Sequence, residues 1–333
     1  MTSDPVRAAF IRQAEACAML GSPFTARLSR LVADRLGANT AVGQTILGWP
    51  GDPSPAADSV PLRLAGSLHA LVLEGRDAAL AEAYPPHDAD DDTLWQAVSD
   101  ALSNHSDFLL ERMKSPPQTN EVRRSGALLP GFLTIAAMFA KPLVLSEVGA
   151  SAGLNLQWDR YRYRLGDATW GQPDSSVAID PEWQGAAPPA ALVDIAGRAG
   201  CDLTPVDATD SAHRLRMLSY IWADQADRLA RTRAALDLAA ENHLAVDRAD
   251  AIAWLRKRLA APHAGMVHVV FHTIAWQYFP VALQQEGEAI LAEAGCHATP
   301  DAPLARLSLE ADGDKDGAAL TLQVWPTGEK RQI

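Results

Sequence analysis

The chain has 333 residues, enough for one large domain or two, and 48% of them are hydrophobic, enough for a sizeable core. Its formal net charge of −12 disfavours generic nucleic-acid binding, because phosphate contacts require Lys and Arg. The apolar runs are too short for a membrane helix, and Cys17, Cys201 and Cys296 are 3 widely spaced thiols with no C-x-x-C. These features point to a reducing, cytoplasmic setting with a small molecule as partner and no membrane contact.

The N-terminal stretch MTSDPVRAAFIRQAEACAML carries an arginine within its apolar pattern, which excludes a secretory signal. Phe10, Ala14, Cys17 and Ala18 recur at helical spacing. FTARLSRLVADRL follows after Gly21-Ser22-Pro23 as a second helix. Residues 49–61 form a Pro- and Asp-rich loop, 62–75 a third helix stopped by Gly75, and 90–113 a fourth with acids in its first turn. Pro116-Pro117 then breaks the chain.

The second half changes character. KPLVLSEVG (141–149) predicts a buried strand, and YRYRL (161–165) one with a wet face. ALVDIAG (191–197) and HLAVDRADA (243–251) predict further strands, with one long helix over 211–241 between them and another helix at AIAWLRKRLA. GMVHVVFHTIAW (265–276) is the most β-like segment. A helix over 281–295 leads to two closing strands, LARLSLEAD and ALTLQVW, joined by ADGDKDGA as an antiparallel hairpin. Strands alternating with helices predict an α/β fold, a Rossmann-like, mostly parallel sheet preceded by an all-helical domain. The expected boundaries are 1–130 for the helical cap and 131–333 for the sheet domain.

Ligands of such sheets sit beyond the carboxyl ends of the strands. At the exit of the first strand stands LSEVGASAGLNL (145–156). Gly149 and Gly153 allow backbone to approach a ligand, and a helix start near Leu154 offers free N–H groups. Glu147 at the strand end suits an ammonium or, through water, a ribose. The same letters spell G-x-S-x-G, so a serine hydrolase using Ser151, with Asp250 and His272 in the required order, is the alternative; no oxyanion loop precedes it. A plain structural turn is a third reading of these letters.

E-V-G-x-S-x-G after an apolar strand resembles the first motif of class I S-adenosylmethionine-dependent methyltransferases. More closely, PPQTNEVRRSGALLPGF (116–132), LSEVGASAGLNLQWDRYRY (145–163), AGCDLTPVDATD (199–210), YIWADQADR (220–228), VFHTIAWQYF (270–279), DAPLARLSLE (301–310) and LQVWPTGE (322–329) resemble a bacterial family known only as domain of unknown function 2332. Members of that family typically run on into a strand containing His-Gly, a pattern from which the ending Lys330-Arg331-Gln332-Ile333 departs.

The methyltransferase resemblance implies S-adenosylmethionine as cofactor, held by Glu147, Gly149, Ala150, Ser151, Gly153 and Asn155. It implies an acid at the second strand's end on the ribose hydroxyls, for which Asp202 in AGCDLTP is the first candidate. Asp167, 20 positions after Glu147, is the rival. If Asp202 holds that place, residues around 157–190 form an insertion. Asp250 with Ala251 takes the place of the adenine contact, or Asp250 is simply a helix N-cap. The exit of MVHVVF is where substrate is met, so His272, as proton acceptor, and Tyr278 are the catalytic candidates. Gln277 joins them as a substrate contact, with Gln118, Asn120, Glu121 and Arg124 at the seam before the sheet, and Trp222 and Gln225 in YIWADQADR. Asp224 and Arg228 suit a helical i,i+4 pair. Arg160, Arg162 and Arg164 read as a solvated strand face or as a patch for an anionic substrate. His268 and His272 share a strand face, but no third metal ligand is in view, so no metal is expected. A non-catalytic ligand-binding or partner protein on the same fold is the remaining alternative.

Overall fold

The computed structural model describes residues 4–313 and 317–333. The start of the N-terminal stretch and part of the expected ADGDKDGA turn, at 314–316, lie outside them. The chain begins with seven helices: α1 Pro5–Met19, α2 Pro23–Arg35, α3 Ala41–Leu47, α4 Val60–Leu73, α5 Ala78–Glu82, α6 Asp91–Asn104 and α7 Ser106–Met113. Their starts follow from local chemistry. Asp4, Ser22, Thr40, Asp77 and Asp90 each accept a backbone N–H from the first turn. Then come α8 Arg124–Phe139, β1 Leu143–Val148, a 3-10 helix Leu154–Arg160, and the short strands β2 Arg162–Leu165, β3 Ala168–Gly171 and β4 Ala178–Ile179. The chain continues through β5 Ile195–Asp202, α9 Ser211–Ser219, α10 Ala226–Glu241, β6 Asp247–Arg248, α11 Ala251–Arg258 and β7 Val267–Thr273. After a 3-10 turn at Trp276–Tyr278 it closes with α12 Val281–His297, β8 Leu304–Ala311, β9 Ala318–Trp325 and β10 Lys330–Gln332.

Two compact units result: Met1–Thr119 with Ser211–Ala230, and Asn120–Asp210 with Arg231–Ile333. The helical unit has its own core, in which Phe10, Leu28, Val32, Leu64, Leu68 and Val98 are buried. Its later segment explains why the helix expected over 211–241 is two. Asp224 accepts the Ser22 hydroxyl at 2.6 Å and the Phe24 N–H at 2.9 Å, so it serves the start of α2 and does not continue a helix or pair with Arg228. Tyr220 lies against Gly66, where a Cβ would come within 2.6 Å of the ring. The helix expected over 90–113 likewise breaks at His105, whose ring meets Asp77 at 3.1 Å.

The second unit begins at Asn120, earlier than the expected boundary at 130, because α8 belongs to the sheet. Phe132 stacks on Trp158 with centroids 4.3 Å apart and meets Phe271 edge-on at 5.3 Å. Gly131 packs against Leu307 so closely that a Cβ would lie 2.4 Å from it.

The main sheet runs β10-β9-β8-β7-β1-β5-β6. β1 pairs in parallel with β5 and β7, β5 with β6, and β7 with β8; β8–β9 and β9–β10 are antiparallel. From central β1 the chain builds outward through β5 and β6, then crosses to β7 and β8 on the other side. That reversal puts the switch point between β1 and β7, the place where ligands of doubly wound sheets bind. β1 and β7 are buried along their whole length, as near-continuous apolar runs in a parallel sheet should be. The connection from β1 to β5 spans residues 149–194. It holds the 3-10 helix and a second sheet, β3-β2-β4, in which β2 alternates exposed and buried residues.

Candidate active site at the strand exits

The exit loop of β1 alternates its backbone sharply. Gly149, Ser151 and Gly153 have φ of 70, 54 and 68°, with Ala150 and Ala152 between them. At Gly149 no side chain fits, since a Cβ would stand 2.6 Å from that of Ala275 in the β7 exit loop. The two loops flanking the switch point are therefore in close contact.

The amides of the β1 loop are largely engaged within the unit. Ala150 N–H donates to the Cys201 carbonyl at 3.0 Å, Gly153 N–H to the Ala150 carbonyl at 2.7 Å, and Ser151 N–H to Asp202 Oδ2 at 2.9 Å. The Leu154 N–H donates to Asn120 Oδ1 at 2.9 Å. The loop leads into the short 3-10 helix, where the sequence predicts a full helix with free amides; that expectation is corrected. Asn155 is fully buried, accepting the Ser125 hydroxyl at 2.7 Å and donating to the Glu121 carbonyl at 3.5 Å. Asn120 and Asn155 thus clamp the loop from the segment leading into α8. Glu121 Oε1 accepts the Arg123 N–H at 2.9 Å, and Arg124 Nη1 donates to the Thr273 carbonyl at 3.1 Å, tying that segment to the end of β7.

Glu147 breaks the pattern of β1. It is 1% exposed, flanked by Gly200 and Phe271 on the neighbouring strands, and its Oε2 has no hydrogen-bond partner among the described residues. Burial pushes its carboxyl well above the ordinary range; Arg124 opposes this and Asp202 adds to it. Ser151 Oγ is also buried without a partner. Among the described residues no base is hydrogen-bonded to that hydroxyl, whereas a hydrolase pairs its serine with one.

Topology separates the two candidate ribose acids. Asp202 ends β5, directly beside β1, whereas Asp167 sits exposed in the turn between β2 and β3 of the second sheet. Asp202 is already half used: Oδ2 holds the Ser151 amide and Oδ1 the Thr204 amide at 2.9 Å. Asp250, after β6, caps α11, its Oδ1 accepting the Ile252 and Ala253 amides at 3.0 Å each, with Ala251 as the first helical residue. The three parallel strands on this side of the switch point thus deliver Glu147, Asp202 and Asp250 at or just past their ends.

The β7 exit differs from expectation. His272 is fully buried and has both ring nitrogens committed. Nδ1 meets Glu310 Oε1 at 2.6 Å, and Nε2 accepts Arg306 at 3.1 and 3.2 Å. Burial pulls its pKa down, Glu310 opposes this, and Arg306 lowers it further. Both ring nitrogens are thus engaged by side chains of β8. Glu310 also accepts the amides of Ala275 and Trp276 at 3.1 Å and of Gln277 at 3.3 Å. Gln277 is bound through its own Oε1 to the Ala311 amide at 3.0 Å, while Tyr278 is 74% exposed. His268 does not converge with His272 on an ion: its Nε2 lies 2.8 Å from Ser146 Oγ.

Gln118, Trp222 and Gln225 belong to the helical unit. There Trp222 packs against Ala14, Cys17 and Ala26, and Gln225 Oε1 accepts Arg228 at 3.0 Å. These engagements weaken Trp222 and Gln225 as substrate contacts.

Sequence reasoning missed Arg306 and Glu310. Their signal was the spelling LARLSLE, where Arg306, Ser308 and Glu310 fall on alternate positions of a strand otherwise made of Leu and Ala. Polar side chains at that period in a strand with buried neighbours require partners, and His272 supplies one.

Comparison with protein families bears on the whole chain. The chain belongs to the family described as an uncharacterized protein conserved in bacteria (DUF2332), whose model matches residues 7–333. No curated protein and no solved structure matches it. Among the described residues, no helix is long and apolar enough to cross a membrane.

Proposed function

We propose that this chain binds S-adenosylmethionine at the exits of β1, β5 and β6 and transfers its methyl group to a small molecule. The observation that carries the reading is Glu147: a fully buried carboxyl, one oxygen unpartnered, at the end of the central strand. A buried polar atom without a partner costs roughly 1–3 kcal/mol and calls for an explanation, and a ligand is the simplest. The chemistry of the donor set narrows that ligand. Engaged loop amides do not suit a pyrophosphate, which needs free N–H groups. Three carboxylates at adjacent exits suit a ligand rich in cationic and hydroxyl groups.

In this reading Glu147 takes the ammonium or a ribose hydroxyl, Asp202 offers its remaining lone pairs to the ribose, and Asp250 lies toward the base. Glu147 gives up its proton when a cation arrives, so binding releases a proton. The cofactor supplies a methyl group already activated on a sulfonium, and alignment does most of the remaining work. A fold whose one candidate base is locked in a structural network is compatible with such a reaction. Tyr278 at the β7 exit is the side chain left to meet an acceptor.

A thermal-shift titration tests the reading. S-adenosylmethionine and S-adenosylhomocysteine at millimolar concentration should raise the melting temperature, and ATP and NAD should not. A ligand at a hundred times its Kd stabilises by about 2.7 kcal/mol, well within detection. No shift with either sulfur compound removes the proposal. Binding without methyl transfer over a broad panel of acceptors would leave a ligand-binding protein.

A further inference from the structure

The second sheet carries a separate cavity that the exit-loop site does not involve. Its volume is about 790 Å³, within the range typical of small-molecule sites. β2 sets its character. Tyr161, Tyr163 and Leu165 point inward and are buried, so Arg162 and Arg164 point together to the open face.

Register makes these two arginines unequal. Arg162 stands opposite Gly171 on β3 and Ala178 on β4, so no neighbouring side chain of any length covers it. Gly171 cannot be enlarged: its φ is 96° and a Cβ would lie 2.0 Å from the Tyr161 carbonyl oxygen. The trough beside Arg162 is therefore fixed by backbone. The Arg162 guanidinium has no hydrogen-bond or ion-pair partner among the described residues. Arg164 is held by Asp180, which accepts both Nε at 3.0 Å and Nη2. Asp180 offsets one of the two positive charges on this face and leaves one unmatched. Thr169, opposite Arg164, adds a hydroxyl, and Pro173 lines the edge, while Trp170, paired with Tyr163, turns to the buried face and stacks on Trp158 at 5.2 Å.

We propose that this face is a binding site for a small oxyanion, a carboxylate or phosphate, seated on the fork of Arg162 between Gly171 and Ala178. A guanidinium presents parallel N–H donors that match two oxygens of one anionic group. Arg164, pre-positioned by Asp180, contributes at the edge of the site. On a chain of net charge −12, an unmatched arginine stands out against a field that repels anions. This proposal does not rest on the cofactor reading.

The test is calorimetric titration of the full chain with inorganic phosphate and, separately, citrate, at ionic strength held constant with chloride. Saturable binding in the millimolar range or tighter is expected for at least one. Phosphate alone would assign a phosphoryl ligand, citrate alone a carboxylate. Arg162→Gln should weaken binding at least tenfold, and Arg162→Lys, which keeps charge but loses the fork, should fall between. Arg162 is exposed, so both variants should melt like the parent chain. The shift caused by S-adenosylhomocysteine should be unchanged in R162Q, which separates failure here from failure of the cofactor site. Binding of neither anion by 50 mM, on the order of weak unspecific association, or equal binding by R162Q, overturns the proposal.

Discussion

Replacing Glu147 with Gln should make the free protein more stable at neutral pH. Glu147 is 1% exposed, and burial, reinforced by Asp202 and opposed by Arg124, raises its carboxyl well above the ordinary range. In the unfolded chain the same group ionises near ~4.3. Between that value and the raised folded one, the unfolded state has released a proton that the folded state keeps. Stability then falls as pH rises, by about 1.4 kcal/mol per pH unit. Glutamine fills the same volume and carries no titrating group, so the slope should vanish in E147Q. The difference between variant and parent should grow from pH 5 upward and level off above the folded pKa, exceeding about 1 kcal/mol at pH 7. Urea unfolding at pH 5, 6, 7 and 8 measures this, with equal m-values as the check that the transition is unchanged. E147Q should also lose the S-adenosylhomocysteine shift, the pattern of a residue kept for binding at the expense of stability. A difference independent of pH, or an E147Q less stable than the parent at pH 7, would refute this account, because Glu147 would then be ionised and matched.

Gly149→Ala should destabilise by roughly 2–4 kcal/mol, combining a left-handed φ with a Cβ 2.6 Å from that of Ala275. Adding Ala275→Gly should relieve the contact and leave only the backbone part, about 1–2 kcal/mol, in a double-mutant cycle. His268, whose pKa burial pulls down to about 3, stays neutral in the fold while the unfolded imidazole takes a proton below ~6.5. Its contribution to stability is therefore present above that pH and lost on acidification, by about 1.4 kcal/mol per unit, and His268→Asn should flatten the slope between pH 6.5 and 4 in denaturant titrations. Ser151→Ala removes a buried hydroxyl that has no partner, so stability should hold or rise by up to about 1 kcal/mol. The parent chain should show no fluorophosphonate labelling, and a Ser151-dependent label would revive the hydrolase reading.

Much of the sheet was legible because parallel strands announce themselves. LVLSEV and VHVVFHT are short, apolar and β-branched, and each lies where the sequence places it. The α8 helix was not legible, because Gly126, Pro130 and Gly131 all spell interruption. The two glycines are there for close packing, Gly126 on Ile179 and Gly131 on Leu307, and the proline is tolerated inside a largely buried helix. The break at 220–225 was hidden for a different reason. Its cause is a carboxylate, Asp224, whose partners Ser22 and Phe24 lie about two hundred positions away, and helical periodicity cannot report a distant partner. Asp202 could be chosen from its place at a strand end, but its hydrogen bond to the Ser151 amide depends on the pairing of β1 with β5. The setting of His272 was not legible because its neighbours Arg306 and Glu310 come from β8, brought alongside only by the sheet.

The departures from local rules gather at one place, and that gathering is the strongest reason to look for a ligand there. Among the described residues, five other than glycine have positive φ: Ser59, Ala140, Ser151, His243 and Ile274. Ser59 and Ala140 cap helices, and His243 follows the end of α10, where a left-handed residue is an ordinary way to stop a helix. Ser151 and Ile274 have no such excuse. They stand in the exit loops of β1 and β7, on either side of the switch point, and Ile274 is β-branched, the residue type least suited to φ of 46°. Each is held by bonds from the sheet: the Asp202 carboxylate on the Ser151 amide, the Leu309 carbonyl on that of Ile274, and Glu310 on the three amides beyond it. Glu147, a carboxyl buried inside a core strand, is at the same exit. A fold selected only for stability would place glycine and an apolar residue at these positions. Strain that surrounding bonds over-determine, next to an unmatched acid at a switch point, is what a preorganised binding site requires.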